Sequence, residues 1–190
     1  MLLPIVAYGD PILKEQGSSI NPSYPNLDVL IENMYDTMYN SKGVGLAAHQ
    51  VGLPILLFIV DCSPFVEEEP TLSNFKKTFI NAQILKEEGE EWMFNEGCLS
   101  IPEIREDVSR KPKITLNYYD ENFIEYTENF EGLAARVIQH ELDHTNGILF
   151  TDYLSSLRKT TLKRKLRDIM NGNITPGYRM RFTNTKKRNK

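Results

Sequence analysis

His140, Glu141 and His144, in VIQHELDHTNGILF (137–150), are the residues of this chain best suited to holding a metal ion. On a helix, positions i and i+4 share a face, so both imidazoles can aim at one ion while Glu141 reaches a water beside it. Such a site lacks a further protein ligand, and Cys98 in NEGCLSIP (95–102) is the best donor for it. One thiolate and two imidazoles leave a coordination position open, as a catalytic centre requires. The segment around Cys98 reads as polar and turn-like, with Gly97 before the cysteine and Pro102 after it. Cys62 in VDCSP reads as structural, and His49 stands alone in a Gly/Ala-rich turn. The competing readings are a metal-free histidine pair and a cysteine that is simply a small buried hydrophobe.

A third segment, GVGLAAHQ (43–50), lacks the glycine patterns that cradle phosphates. Gly43 and Gly45 permit close approach by an extended peptide, and Gln50 can offer an amide donor to a developing oxyanion. Otherwise the segment is a tight turn packed with small residues.

Several elements must position these groups. PNLDVLIENMYDTMYNSKG (25–43) reads as an amphipathic helix, with Leu27, Leu30, Ile31, Met34 and Met38 on one stripe. PILLFIVD reads as a buried strand, 66–74 as an acidic loop, and FKKTFINAQILKEEGEEW as strands broken near Gly89. KITLNYYDENFIEYTENF reads as a hairpin around DEN. The pattern then turns helical from Glu131 to His144, and a last helix runs from Ser155 or Ser156 to Met170. The mixture points to an α+β fold, with antiparallel or mixed sheets packed around the histidine helix and a C-terminal helix. A single domain over 1–170 is expected, followed by a basic, loosely ordered tail over 171–190.

The longest apolar run, LPILLFIV, is too short for a membrane span, and the first residues carry no basic leader pattern. With only two cysteines, a reducing cytoplasm is the expected setting. Charge is unevenly spread: from Arg158 onward 12 Lys and Arg face one acid, Asp168, while the first 157 residues carry a net −15. A basic end on an acidic body suits contact with an anionic partner such as RNA, or else is a solvated helix face.

GVGLAAHQ, EGCLS (96–100) and QHELDH (139–144), in this order, resemble the three motifs of the peptide deformylases. The likeness extends from LPIVAYGDPIL to NGILFTDYL, and the helix after TDYL looks like the form with a helical C-terminus. The resemblance implies hydrolytic removal of the formyl group from the N-terminal methionine of new polypeptides, with release of formate. It implies Cys98, His140 and His144 as ligands of one divalent metal, Fe(II) in the cell, with Zn, Ni or Co able to substitute. Glu141 would carry the proton, and Gln50 with the Leu99 backbone N–H would meet the oxyanion. Val44 and Gly45 would pair with the bound peptide, Leu133, Arg136 and Val137 would line the methionine pocket, and Arg105 would lie near the cleft or pair with Glu103 or Glu106. N-formylmethionyl nascent chains are then the partners, with a ribosomal RNA contact through the basic C-terminus and no membrane. Thr145, where leucine is usual, and Ala82, where proline is frequent, depart from the family pattern without touching a ligand. An HExxH endopeptidase would take its remaining ligand downstream, whereas Cys98 lies 42 positions upstream of His140. A metal-stabilised RNA-binding protein would need neither Glu141 nor an open position.

Overall fold

A computed structural model describes residues 1–183 of the chain. Its centre is a five-stranded antiparallel sheet of β2 (Gly45–Ala47), β3 (Leu57–Asp61), β4 (Lys76–Glu88), β7 (Lys113–Tyr119) and β8 (Glu125–Glu131), side by side in that order. Helix α1 (Leu27–Asn40) covers one face and α2 (Gly132–Thr145) the other. Alternation along β3 explains its unbroken apolar run. Phe58 and Val60 pack toward Ala135, Ile138 and Leu142 of α2, while Leu57 and Ile59 pack toward Ile31, Met34 and Met38 of α1. The strand begins at Leu57, later than the apolar run suggests, because the residues before it bond to Ser18: the Ser18 N–H donates to the Pro54 carbonyl at 2.9 Å and the Leu56 N–H to the Ser18 carbonyl at 2.8 Å.

A separate hairpin, β5 (Trp92–Cys98) with β6 (Ile101–Arg110), carries the cysteine. The expected turn around Cys98 is therefore mostly strand: only Leu99 and Ser100 turn, and the register slips between Gly97 and Cys98. Ile101, Ile104 and Val108 of β6 pack with Leu162, Leu166 and Ile169 of α3 (Ser156–Met170) in a third apolar cluster. Ser155 caps α3, its hydroxyl accepting from the Arg158 N–H at 3.2 Å. The acidic loop is anchored by buried Leu72, and Glu69 accepts from the Leu133 N–H at 3.3 Å at the start of α2.

The segment after Met170, expected to be loosely ordered, instead folds back. Met180–Arg181 forms strand β9, parallel to β1 (Ile5–Val6). Tyr178, Met180 and Phe182 are half-buried while Arg179 and Arg181 between them are exposed, a period-2 strand pattern masked in the sequence by the surrounding charge. The rest of the proposed tail, 184–190, lies outside the described residues. Among the described residues no helix is long and apolar enough to cross a membrane.

Candidate active site

Three elements converge. Helix α2 is buried along most of its length and presents His140 and His144 one turn apart, both at most 8% exposed. The end of β5 delivers Cys98, whose Sγ lies 3.2 Å from His144 Nε2. One ligand atom from each of Cys98, His140 and His144 falls within a span of 4.8 Å. After β2, a 3₁₀ turn at Ala48–Val51 brings Gln50 back on its own strand. There its Oε1 accepts from the Ala47 N–H at 2.8 Å, which leaves Nε2 to donate toward Cys98 Sγ at 3.4 Å.

Glu141 is buried beside this cluster with Oε2 unpartnered. Burial pushes its carboxyl up to about 7, against the opposing pull of His140. It lies against the bare backbone of Gly45, where a β-carbon would come within 2.5 Å of its Oε1. Glycine here is a packing requirement. His144 is held well below the usual histidine range by burial, and its Nδ1 has no partner. His140 is raised well above that range: burial opposes its charge, but bonds to Cys98 and Glu96 outweigh burial.

Glu96 is the residue that sequence reasoning missed. Its Oε1 accepts from Arg110 Nε at 2.7 Å and Arg136 Nη1 at 3.0 Å. Its Oε2 accepts from Arg110 Nη2 at 3.1 Å and His140 Nδ1 at 2.8 Å. Burial favours the neutral acid, but His140 and Arg110 hold the carboxyl down to about 2. A carboxylate only accepts, so the neutral His140 that ligates a metal carries its proton on Nδ1 and turns the Nε2 lone pair to the cluster. Arg110 continues the network through Asp143 at 2.7 Å, which also accepts from the Tyr153 hydroxyl at 2.9 Å. The available signal was spacing: Glu96 stands two positions before Cys98 on a strand, hence on the same face.

A cleft of about 550 Å³ opens over the cluster, lined by Val44, Gly45, Leu99, Arg105 and Val137 among others. Leu133 is not part of this lining; it packs in the apolar cluster between α2 and the sheet. Arg136 lines the cleft, but its head is buried. It donates to Glu96, to the Val108 carbonyl at 3.0 Å and to the Trp92 carbonyl at 2.7 Å, and stacks over Trp92 at 4.6 Å. Arg105 pairs with neither Glu103 nor Glu106: it donates to Asn95, while Glu106 is taken by Arg158 at 2.6 Å. His49 is fully buried and outside the ligand cluster. Cys62 is buried too, and burial pushes its thiol up to about 12, away from thiolate chemistry.

One thiol and two imidazoles, one of them with its tautomer fixed by a carboxylate, fit a divalent transition-metal ion. With a buried glutamate alongside and an open cleft in front, the arrangement is that of a metal-dependent hydrolase. The sequence profile of the family described as polypeptide deformylase matches residues 2–160. The peptide deformylase of Flavobacterium johnsoniae is 57% identical over 98% of this chain and 99% of its own length. That of Flavobacterium psychrophilum is 58% identical over 98% of this chain and 100% of its own. Crystal structures of peptide deformylases agree in fold. The Legionella pneumophila enzyme superposes with a TM-score of 0.78 at 34% identity, covering 88% of this chain and 95% of that one. The Thermus thermophilus enzyme gives 0.79 at 34% identity, covering 89% and 98%. The chain belongs to the polypeptide deformylase family. It is therefore an enzyme, a metal-dependent hydrolase that removes N-terminal formyl groups.

Proposed function

We propose that this chain deformylates the N-terminal formyl-methionine of nascent polypeptides in the cytoplasm, with Cys98, His140 and His144 holding one Fe(II) ion in the cell. Zn, Ni and Co suit the same donors in purified protein. The observation that carries this reading is the convergence of three donor atoms within 4.8 Å beside a buried, unpartnered Glu141 oxygen. When bound, the ion supplies Lewis acidity, which brings the pKa of a water from about 15.7 toward 7.

The chain's own residues do the rest. Glu141, its carboxyl poised near neutrality, takes the proton of the attacking water and returns it to the departing amine. Gln50 Nε2 and the Leu99 N–H donate to the oxyanion, and one such donor is typically worth about 3 kcal/mol. Val44 and Gly45 receive the peptide strand-fashion, and Gly45 leaves room for the Glu141 carboxylate. Val137, with the stacked stem of Arg136, forms the wall for the methionine side chain. Arg105 borders the mouth of the cleft from its perch on Asn95.

The basic C-terminal region supports a ribosomal RNA contact. Lys163, Arg164, Lys165 and Arg167 on α3 are exposed and, among the described residues, form no ion pair. Replacing these four by glutamine should weaken ribosome pelleting with a shallower salt dependence; pelleting equal to wild type would overturn the contact. For the activity, formyl-Met, acetyl-Met and unformylated tripeptides are compared under anaerobic Fe(II) loading. Release of formate from the first alone is expected. Cleavage of an internal bond in a longer unformylated peptide would assign the site to an endopeptidase.

A further inference from the structure

The C-terminal strand reaches the reaction centre at one point. Tyr178, two residues before β9, lines the same cleft as Cys98, Gln50 and Glu141, and its hydroxyl donates to the Leu99 carbonyl at 2.7 Å. Across the same turn, the Tyr8 N–H donates to the Ser100 carbonyl at 2.9 Å. Tyr8 follows β1 and Tyr178 precedes β9, and these strands are bonded to each other: Ile5 N–H to the Arg179 carbonyl and Ala7 N–H to the Arg181 carbonyl, both at 2.9 Å. Asp10 ties the pair again, accepting from the Thr183 hydroxyl at 2.9 Å and facing Arg181 at 3.5 Å. Both carbonyls of the two-residue turn that follows Cys98 are thus held by one unit built from the two ends of the described chain. The Leu99 N–H itself has no acceptor among the described residues, which leaves it free for a ligand.

We propose that Tyr178 is a positioning residue for deformylation: by holding the Leu99 carbonyl it fixes the direction of the Leu99 N–H, and so makes the oxyanion donor depend on the C-terminal strand. The inference rests on the assignment of that N–H as a donor. The two groups flank one Cα, and only two soft dihedrals separate their planes, so pinning the carbonyl restricts the N–H. A donor stabilises a developing charge best when it is already aimed and needs no reorganisation. Leu99 lies at the cleft and is only half-buried, so water can replace the phenol on its carbonyl. Loss of the hydroxyl should therefore disturb aim more than folding.

The test is Tyr178→Phe in the full metal-loaded chain, assayed on a formyl-Met tripeptide. The ring and its packing stay; one hydrogen bond goes. A kcat lower by about fivefold is expected, the range of one neutral hydrogen bond, with KM within about twofold and equal metal content. The thermal midpoint should stay within roughly 3 °C of wild type. Amide exchange over 98–101 should quicken while that of α2 does not change. A kcat equal to wild type would overturn the proposal, and the exchange data then locate the failure. Faster exchange with unchanged kcat means that Leu99 is not the donor, whereas unchanged exchange means that Tyr178 does not hold the turn. A loss shared by KM, metal content and α2 protection would likewise overturn it, in favour of a general structural role.

Discussion

Replacing Glu96 by glutamine tests how this site is held together, because the two side chains have the same shape and differ in what they can accept. Glu96 takes two donors on each oxygen, three from guanidinium groups and one from His140 Nδ1. A glutamine keeps one oxygen and turns an NH₂ toward two of those donors. The arrangement least damaging to the arginines leaves the carbonyl on the Arg110 Nε and Arg136 Nη1 side and faces the amide toward His140 Nδ1. His140 then relieves the clash by moving its proton to Nε2, the nitrogen needed by the metal. Metal affinity should fall about 10- to 100-fold, as for other carboxylates behind a ligating histidine. Buried Arg136 also loses its carboxylate partner, while Arg110 keeps Asp143, at a cost of about 3–5 kcal/mol, or a thermal midpoint lower by roughly 10 °C. Affinity is read by competition with a chelator of known strength, and stability by thermal unfolding of the metal-free protein. Wild-type metal affinity in a folded Glu96→Gln protein would refute the tautomer argument. An unchanged midpoint would refute the buried-charge argument.

Other expectations follow from single contacts. Gly45→Ala should cut kcat by about 100-fold or more while the protein stays folded and metal-loaded, because the new methyl meets Glu141 Oε1 at 2.5 Å and Cγ at 2.7 Å. Activity within threefold of wild type would mean that Glu141 has another place to stand. The unfolded chain protonates Glu96 near its ordinary 4.5, the folded chain only near 2, so its stabilisation is complete above pH 4.5 and disappears as pH falls toward 2. Denaturant unfolding of the wild type should lose about 3 kcal/mol over that window from this group, a loss missing in Glu96→Gln. Gly147→Ala should destabilise by about 2 kcal/mol in the same assay, since its φ of +71° is unfavourable for alanine and a β-carbon would sit 2.6 Å from the Lys14 carbonyl oxygen.

The parts of the molecule legible from sequence are those with a strong period or a chemical motif. Helices α1, α2 and α3 follow from their apolar stripes, and Cys98, His140 and His144 from ligand chemistry alone. Glu96 and Arg136 were harder to read because charged side chains are normally solvated, and only the three-dimensional meeting of β5, β6 and α2 makes them mutually satisfying. The same network holds the guanidinium of Arg136, so that only its stem is left to line the cleft. Leu133 shares the apolar period of α2, which does not tell the sheet side from the cleft side. Charge concealed β9: Arg179 and Arg181 alternate with half-buried Tyr178, Met180 and Phe182, and the strand forms only because its partner is the other end of the described chain.

The most direct measurement is to titrate Fe(II) anaerobically into metal-free protein while following formate release from formyl-Met-Ala-Ser, with Glu141→Gln and Cys98→Ser alongside. The wild type should gain activity linearly and saturate at one ion per chain, Glu141→Gln should bind the ion without turnover, and Cys98→Ser should show neither tight binding nor activity. Full activity in the metal-free wild type, or in metal-loaded Glu141→Gln, would contradict the assignment of these residues to the reaction.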